Sequence, residues 1–513
     1  MDTTQTRDLG DRLKIAATAL FGVFTLYYTG VVIYNRFFHP LAKFPGPFLN
    51  SVSDLPGIVW VLQGRLPFKT HRLHEKYGPV VRLSPNELAF NSHEAFTDIY
   101  GHKIGRKDLP KDPIHVGAVD PMPGVSTISM ADHDTHARQR KALSHGFSKK
   151  ALWSQESIVQ GFVDNLMDIF KGYEKSGEAF DIVKWLNLIT FDVIGDLSFG
   201  ESFGCLENGD YHFWIHLIFL AVKVGAIEQA TRRFANPGST TQKLLMKLIP
   251  SELRKQRKNH LDYSRTKVMK RINDTKTDRK DFIYYILKQA DHYDLSQDEV
   301  IVNAALFIVA GSETTASSLS SFTNMMLRNP AVFAKLKHEI RTAFPSAKDI
   351  NLASATELPY LNACIEENLR VFPPAPIGFL RTIQASGDVI DGMHIPGGTA
   401  VSVSTWCAAH ASANFRKPDE FIPERWLDKG YETDKFAASR PFSLGPRGCI
   451  GKDLSYLEMR LVLCHLVWNF DIENADAAEN WNPAGDYSHI KAYSTWQKPQ
   501  LFVKLTKAKH VDA

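Results

Sequence analysis

The sequence predicts a mainly α-helical fold with small β-sheets, preceded by one transmembrane helix. Three observations support this prediction: helical periodicity over most of residues 150–345, short β-prone runs around a turn near residue 85, and an uncharged apolar stretch over residues 15–34. The 513 residues contain 44% hydrophobic and 23% charged residues, and no segment resembles a spacer between modules. We therefore expect one large globular unit behind the membrane helix.

Composition excludes some classes of function. The net charge is only +4, and no Lys/Arg-rich block is interleaved with aromatic residues, so nucleic-acid binding is not expected. The five cysteines include no C-x-x-C pair, which argues against a disulfide framework or a structural zinc site and favours a reducing compartment. Four of them are expected to be buried free thiols that act as small hydrophobic side chains: Cys205, Cys364, Cys407 and Cys464.

The apolar stretch 15–34 lies between Lys14 and Arg36 and is long enough to span a hydrocarbon core of about 30 Å. A cleaved signal peptide is the alternative, but this stretch ends in bulky residues instead of a small-x-small site. The prolines of residues 39–47 exclude helix and strand, so a stiff connector or an ordinary linker should follow. The predicted division is a short N-terminal segment (1–14), the anchor (15–34), a proline-rich hinge (35–50) and a catalytic domain (51–513).

The first part of the body should contain a β-hairpin and a long loop. β-prone runs at 80–83 and 87–90 flank the turn residues 84–86. Residues 105–130 are rich in glycine and proline without periodicity, and long loops in compact domains are often functional. This loop is a candidate for substrate contact, as are residues 210–250, 375–379 and 493–496.

The clearest helix begins at a capping box formed by Ser296 and Glu299 and runs to about Arg328. Its middle is apolar on all sides, so it should cross the interior. Glu313 and Thr314 lie at that depth, where an acid beside a hydroxyl suits proton delivery. They follow a glycine, so a widened turn with room for water or a small ligand is one expectation, and a helix kink with satisfied hydroxyls is the other.

A second polar set combines two separate segments. Glu367 and Arg370 lie on one face of a helix opened by Pro359, and such a pair is usually exposed. Arg425, in the segment 423–426, could complete a buried Glu–Arg–Arg network. The pair is significant only if that network forms.

The segment 442–451 places three glycines around Cys449. Glycines let the backbone approach a bulky planar partner and let N–H groups point at the sulfur, and Arg447 adds positive charge that favours a thiolate. One cysteine cannot hold zinc or an iron–sulfur cluster, but it suffices for haem, whose porphyrin supplies the other four donors. The alternative is a glycine loop with an incidental cysteine.

At these residues the chain resembles the cytochrome P450 superfamily. The signature Phe-x-x-Gly-x-Arg-x-Cys-x-Gly is complete in residues 442–451. Three further family signatures precede it at 310–315, 367–370 and 423–426, in the same order as in the family. The anchor and the proline hinge resemble those of fungal microsomal members that tailor secondary metabolites. The resemblance implies the P450 fold, mainly α with small β-sheets.

The resemblance also implies roles for individual residues. Cys449 would be the axial thiolate ligand of haem b, and Thr314 and Glu313 would supply protons for oxygen activation. Glu367, Arg370 and Arg425 would lock the haem-binding core.

Other positions match family contacts of the haem. Arg447, Arg381 and Arg140 correspond to propionate partners, and His136 replaces a tryptophan, which leaves its role open. Three further residues match cofactor contacts: Phe442, Gly451 and Gly311.

The implied reaction inserts one oxygen atom from O2 into an apolar small molecule, by hydroxylation or epoxidation, in terpenoid, polyketide or alkaloid biosynthesis, mycotoxins included. Electrons would come from NADPH through a separate cytochrome P450 reductase, for which Lys141 and Lys452 are candidate docking residues or part of a solvated surface. We expect a monomer held in the endoplasmic reticulum membrane by a single span, with its catalytic domain in the cytosol. The alternatives are a same-fold enzyme of oxidative coupling, rearrangement or dehydration, and a non-catalytic haem-binding protein.

Overall fold

The computed structural model describes residues 3–116, 122–274, 279–427, 430–481 and 485–509. Its α-helices are α1 Thr3–Ile33, α2 Phe48–Val52, α3 Leu55–Leu62, α4 Leu66–Tyr77, α5 His93–Tyr100, α6 His133–Ser144, α7 Lys149–Ser176, α8 Ile182–Phe199, α9 Cys205–Asn208, α10 Phe213–Phe234, α11 Thr240–Lys247, α12 Ser251–Asn273, α13 Phe282–Ala290, α14 Gln297–Arg328, α15 Pro330–Ala343, α16 Leu352–Thr356, α17 Pro359–Val371, α18 Thr405–Ala409 and α19 Lys452–Asn469. Its strands are β1 Val80–Ser84, β2 Glu87–Phe90, β3 Phe180–Asp181, β4 Arg381–Thr382, β5 Asp388–Ile390, β6 Met393–Ile395, β7 Ala400–Val403, β8 Phe470–Asn474, β9 Lys491–Ala492, β10 Trp496–Gln497 and β11 Phe502–Lys507. The prediction of a mainly helical fold with small sheets is confirmed.

The long helix α14 forms the centre of the fold. It begins at the predicted capping box, in which the Ser296 hydroxyl accepts from the Glu299 N–H and the Glu299 carboxylate accepts from the Ser296 N–H. It ends at Arg328, one residue before Asn329 and the proline that opens α15. Most of its side chains are buried, and it packs against α8 and α12. The prediction of an interior helix is confirmed.

The helices around α14 show why their sequences are amphipathic. On α7 the buried residues Val159, Val163, Leu166 and Phe170 recur at intervals of three or four, which places them on one face. That face packs against α8 and α19. The helical core therefore joins α14 to the helix that follows Cys449.

The main sheet has the strand order β1–β2–β7–β4. Strands β1 and β2 form the predicted antiparallel hairpin, with Val80 opposite Phe90. Strand β7 runs parallel to β2, and β4 is antiparallel to β7 with Arg381 opposite Val401. This sheet brings residue 381, far along the chain, beside the N-terminal hairpin. A second sheet joins β3, β11 and β8.

From residue 15 onward the N-terminal helix is apolar and largely exposed. Helix α1 continues as a π-helical turn, Tyr34–Phe38, a little beyond the predicted end of the anchor at residue 34. Residues 12–38 are long and apolar enough to cross a membrane, a test that the mostly buried α14 also passes. The N-terminal helix is therefore a candidate membrane span.

The segment 39–47 has no regular secondary structure, as its prolines predict. It is nevertheless packed on the body, because Leu41 is fully buried and Phe44 nearly so. Arg82 of β1 donates its backbone N–H to the Pro45 carbonyl and its guanidinium to the Asn35 carbonyl at 2.8 Å. The connector is therefore fixed to the sheet and is not a free linker.

Candidate active site

A cavity of about 300 Å³ lies between α14 and the loop that carries Cys449. From α14 it is lined by Leu306, Phe307, Ala310 and Thr314. From the opposite side it is lined by Phe442, Arg447, Gly448 and Cys449. The predicted ligand and the predicted alcohol thus face one enclosed space.

The loop before α19 holds Cys449 by backbone contacts. Its N–H donates to the Phe442 carbonyl at 2.8 Å, and the Gly451 N–H donates to its sulfur. Gly445 has a φ of +71°, and a Cβ there would lie 2.1 Å from the Tyr100 carbonyl oxygen. Only glycine fits this turn, which presents the Cys449 side chain to a cavity inside the protein. The expected N–H contact to the sulfur is confirmed at Gly451.

Two cations other than Arg447 lie near Cys449. Burial raises the pKa of the Cys449 thiol, while the Gly451 N–H and the charges of Arg140 and Lys452 lower it. Arg447 instead pairs with Asp108 at 2.5 Å. The charges that lower the Cys449 pKa are those of Arg140 and Lys452, so the expected effect of Arg447 on the thiolate stays a prediction. Since burial outweighs these contacts, a bound metal cation is what would favour the thiolate here.

The acid and the alcohol on α14 face different spaces. Thr314 donates its hydroxyl to the Ala310 carbonyl at 2.7 Å and lines the cavity that holds Cys449. Glu313 forms a buried ion pair with Lys498, with 2.6 Å between Oε2 and Nζ. Both of these residues line a second cavity of about 510 Å³. Helix α14 stays α-helical through these residues, so the expected widened turn is absent.

Gly311 serves helix packing. A Cβ at this position would lie 2.7 Å from Cδ1 of Ile194, so the glycine allows α14 to approach α8 closely. Among the described residues that line the Cys449 cavity, Gly311 does not appear. The contact of Gly311 with the cofactor therefore stays a prediction, beside this observed role in packing.

The predicted network around Glu367 is present and fully buried. Its carboxylate accepts from Arg370 at 2.8 Å and from Arg425 at 3.0 Å. Trp426 donates its indole N–H to the same carboxylate, and Arg425 also pairs with Asp434. Although burial raises the pKa of Glu367, the charge of Arg370 and these hydrogen bonds hold it below its usual value. The network joins α17 to the segment before the Cys449 loop.

The cavity wall near the sheet carries the residues expected to hold haem propionates. Arg447, Arg381, Arg140 and His136 all line it. Within the described part of the chain, Nη1 of Arg381 and Nη1 of Arg447 are buried without hydrogen-bond partners. Two unsatisfied guanidinium nitrogens beside a cavity that ends in a cysteine fit a planar iron ligand with two carboxylates.

Two members of this wall have roles that the sequence did not specify. Arg140 donates to the Gly448 carbonyl at 2.7 Å, which ties α6 to the Cys449 loop. Burial, with the charge of Arg447, lowers the pKa of His136 to about 4. His136 is therefore neutral near pH 7 and can offer an N–H but no charge.

The predicted lining segments divide between the two cavities. The 105–130 loop and residues 375–379 line the Cys449 cavity through Lys111, Ser129 and Phe379, while residues 117–121 lie outside the described part. Residues 210–250 and 493–496 instead contribute to the second cavity, through Tyr211 and Tyr493 among others. Sequence reasoning missed Asp108, Asp434 and Lys498, whose partners are distant in sequence and follow no spacing rule.

Comparison with known proteins gives a consistent result. The family model described as Cytochrome P450 matches residues 53–487. The chain is 43% identical to cytochrome P450 monooxygenase aba2 of Botryotinia fuckeliana over 92% of each chain, and 42% identical to cytochrome P450 monooxygenase ABA2 of Pyricularia oryzae over 93% of each. It is 40% identical to cytochrome P450 monooxygenase astA of Talaromyces wortmannii, over 96% of this chain and 98% of that protein. With Cys449 and Thr314 facing one cavity beside two unsatisfied guanidinium nitrogens, the chain belongs to the cytochrome P450 family.

Proposed function

We propose that the protein is a haem-thiolate monooxygenase that inserts one oxygen atom from O2 into an apolar small molecule. The observation that carries the proposal is the shared cavity, with Cys449 on one side, Thr314 on the other and cationic side chains along its wall. Its relatives that bear the name monooxygenase match over more than nine-tenths of their length. The reaction consumes two electrons and two protons, and the second oxygen atom leaves as water.

Each group at the cavity has a distinct task. Bound haem would activate O2, and thiolate ligation favours cleavage of its O–O bond. Cys449 supplies that ligand, with the Gly451 N–H directed at its sulfur. Thr314 positions a hydroxyl inside the cavity, where it can donate and accept a proton at Oγ1.

Glu313 would supply protons to Thr314 from the side of the second cavity. It is the neighbour of Thr314 on α14 but faces the second cavity, where Lys498 holds its carboxylate. The second cavity is larger and is lined by several charged residues, among them Asp181 and Lys223, so it suits water. Protons would move from this cavity through the carboxylate to the hydroxyl, while the substrate occupies the other side.

The substrate class follows from the lining of the Cys449 cavity. Its apolar contacts include Ile128, Leu306, Phe307 and Phe379, which suit a hydrocarbon skeleton. A role in the secondary metabolism of a fungus, on terpenoid, polyketide or alkaloid skeletons, agrees with the fungal relatives. Electrons would come from NADPH through a separate reductase in the endoplasmic reticulum membrane, which the apolar helix α1 would enter as a single span.

The test of the haem ligand is the carbon-monoxide difference spectrum of the reduced protein. Wild type is expected to show the red-shifted Soret band of a thiolate ligand, and Cys449→Ser is expected to lose it. Cys407→Ala is the control, since Cys407 is a buried thiol that does not line the described cavity. A folded, haem-loaded wild type without this band would refute the proposal.

The test of the reaction uses isotopically labelled oxygen. A panel of apolar compounds is first screened for a shift of the Soret band on binding, and those that bind are then incubated with reductase, NADPH and ¹⁸O2. One labelled oxygen atom in the product is expected. Products that lack the label would instead support coupling, rearrangement or dehydration on the same fold.

A further inference from the structure

A half-buried lysine stands among the cations of the Cys449 cavity, and nothing said above gives it a function. Lys111 forms an isolated antiparallel bridge with Arg381, the first residue of β4. Residues directly opposite in an antiparallel pair project to the same side, and both side chains line the cavity. Two like charges placed directly opposite each other are destabilising unless an anion lies between them.

The contacts of Lys111 do not supply that anion. Its Nζ lies 3.3 Å from Nε2 of His115 and 3.5 Å from Oγ of Ser129. In the described part of the chain, neither Lys111 nor Arg381 forms an ion pair with a carboxylate. Burial, together with the charges of Arg381 and Arg447, lowers the pKa of Lys111 well below its usual value. An unpaired ammonium in such a place is costly, which points to a ligand that carries negative charge.

The neighbouring cations have polar partners within the protein for at least part of their guanidinium groups. Arg447 pairs with Asp108, and Arg140 donates to the Gly448 carbonyl. His136, on the same wall, is neutral near pH 7 because its pKa is about 4. Among the described residues, Arg140, Lys111 and Arg381 thus form no ion pair with a carboxylate, and only Arg140 of these is tied to the Cys449 loop. Lys111 and Arg381, opposite each other, are left facing the cavity, and haem carries two propionate carboxylates.

We propose that Lys111 binds a propionate carboxylate of the haem, opposite Arg381. This inference rests on the proposed function, because it requires haem in the Cys449 cavity. The 3.3 Å contact with His115 fits this role: burial, with the charge of Lys111, keeps the pKa of His115 well below its usual value, so the neutral ring can accept from the ammonium and orient it. Lys111 thus makes the 105–130 loop part of the haem pocket.

The experiment compares haem retention in the full-length protein. The ferric wild type, Lys111→Met and Lys111→Arg are mixed with apomyoglobin, and haem transfer is followed at the Soret band. Lys111→Met is expected to release haem about tenfold faster, the usual scale for loss of one charge-assisted hydrogen bond, and Lys111→Arg to stay near the wild-type rate. Lys107→Met is the matched control, since Lys107 lies on the same loop but is exposed and pairs with Asp134.

A second readout separates ligand binding from a structural role. Because Lys111 lacks a counter-charge in the protein itself, Lys111→Met is expected to leave the melting temperature of the haem-free protein unchanged or raised. Its haem midpoint potential should fall, since removal of a nearby cation favours ferric haem. Release of haem at the wild-type rate, or a haem-free protein destabilised by Lys111→Met, would overturn the inference. A wild type that takes up no haem would instead refute the haem-thiolate proposal itself.

Discussion

The ion pair between Glu313 and Lys498 joins the middle of α14 to the segment after β10. Both side chains are about 95% buried, and Glu313 Oε1 has no hydrogen-bond partner within the described residues. A carboxylate at this depth depends on its cation, because an unpaired buried charge destabilises the fold. Lys498 therefore fixes the acid on the side of α14 that faces the second cavity.

Lys498→Met should lower the free energy of unfolding by roughly 2–3 kcal/mol. This is a small loss for the breaking of a buried ion pair, because water in the second cavity can partly solvate Glu313. The double variant Lys498→Met, Glu313→Leu removes both charges and should recover part of that loss. Thermal unfolding of the three proteins measures the difference. Equal stability of Lys498→Met and wild type would show that the pair contributes nothing to the fold.

Sequence reasoning at the scale of single residues succeeded where function requires a fixed spacing. Cys449 lies in a complete signature, and Glu367 and Arg370 are one helical turn apart. Lys498 could not be found in this way, because it is 185 residues from Glu313, and Asp108 is 339 residues from Arg447. Such pairs are set by tertiary packing, which leaves no periodic signal in the chain.

The Cys449 loop contains a glycine whose position leaves no room for a side chain. Gly445 combines a positive φ with the close approach of the Tyr100 carbonyl at the end of α5. The loop can present its cysteine to the cavity only while α5 and this glycine remain in contact.

Gly445→Ala should displace the loop and abolish or strongly weaken the thiolate-type Soret band, because a Cβ would overlap backbone that cannot yield. Gly398→Ala is the matched control. Gly398 has a similar φ of +79° but open space around it. Alanine at position 398 should therefore cost only the strain of a left-handed backbone, about 1 kcal/mol. The carbon-monoxide difference spectra of both variants measure the loss of the thiolate-type band. A normal band in Gly445→Ala would contradict the predicted overlap of its Cβ with the Tyr100 carbonyl.

Helix α4 ends in a contact that responds to pH. His74, in its last turn, is buried and hydrogen-bonded to the Gly78 carbonyl at 2.9 Å. Burial lowers its pKa to about 4, against about 6.5 for an unfolded chain. Between these values the unfolded state binds more protons than the native state, so stability falls as the pH falls through this window.

The contribution of His74 should therefore decrease by about 2 kcal/mol between pH 7.5 and pH 5. His74→Gln keeps an amide donor but does not titrate, so its unfolding free energy should fall less over the same range. Urea unfolding at the two pH values measures the difference between the two proteins. An identical loss in wild type and variant would mean that His74 does not contribute to acid sensitivity.

Elements with strong local signals were predicted closely. The capping box at the start of α14, the end of that helix at Arg328 and the proline that opens α17 were all predicted correctly. The division of space around α14 into two cavities was not predictable. It depends on which faces of α8, α10 and the last strands meet, and no single segment encodes that.

For the whole molecule, the side that carries Lys141 and Lys452 is the proposed docking surface for a reductase. Both side chains are exposed, and Lys452 also influences the Cys449 thiol. Lys141 is therefore the cleaner position for a test of docking.

Lys141→Glu should slow the transfer of electrons from the reductase to the haem at low ionic strength. The new carboxylate would repel an acidic docking surface on the reductase. The difference from wild type should shrink as salt rises. Lys504→Glu, at an exposed position on β11, is the control. Stopped-flow reduction under carbon monoxide measures the rates, and salt-independent rates for wild type would contradict an electrostatic docking surface.

The order of elements along the chain also sets an order in time. During synthesis, at about 5–20 residues per second, helix α1 leaves the ribosome tens of seconds before the loop of Cys449 does. The nascent chain would therefore reach the membrane while its haem pocket still lacks the axial ligand and α19. If α1 enters a membrane, haem would be inserted into a chain that is already tethered, and therefore at the membrane surface instead of in the bulk cytosol.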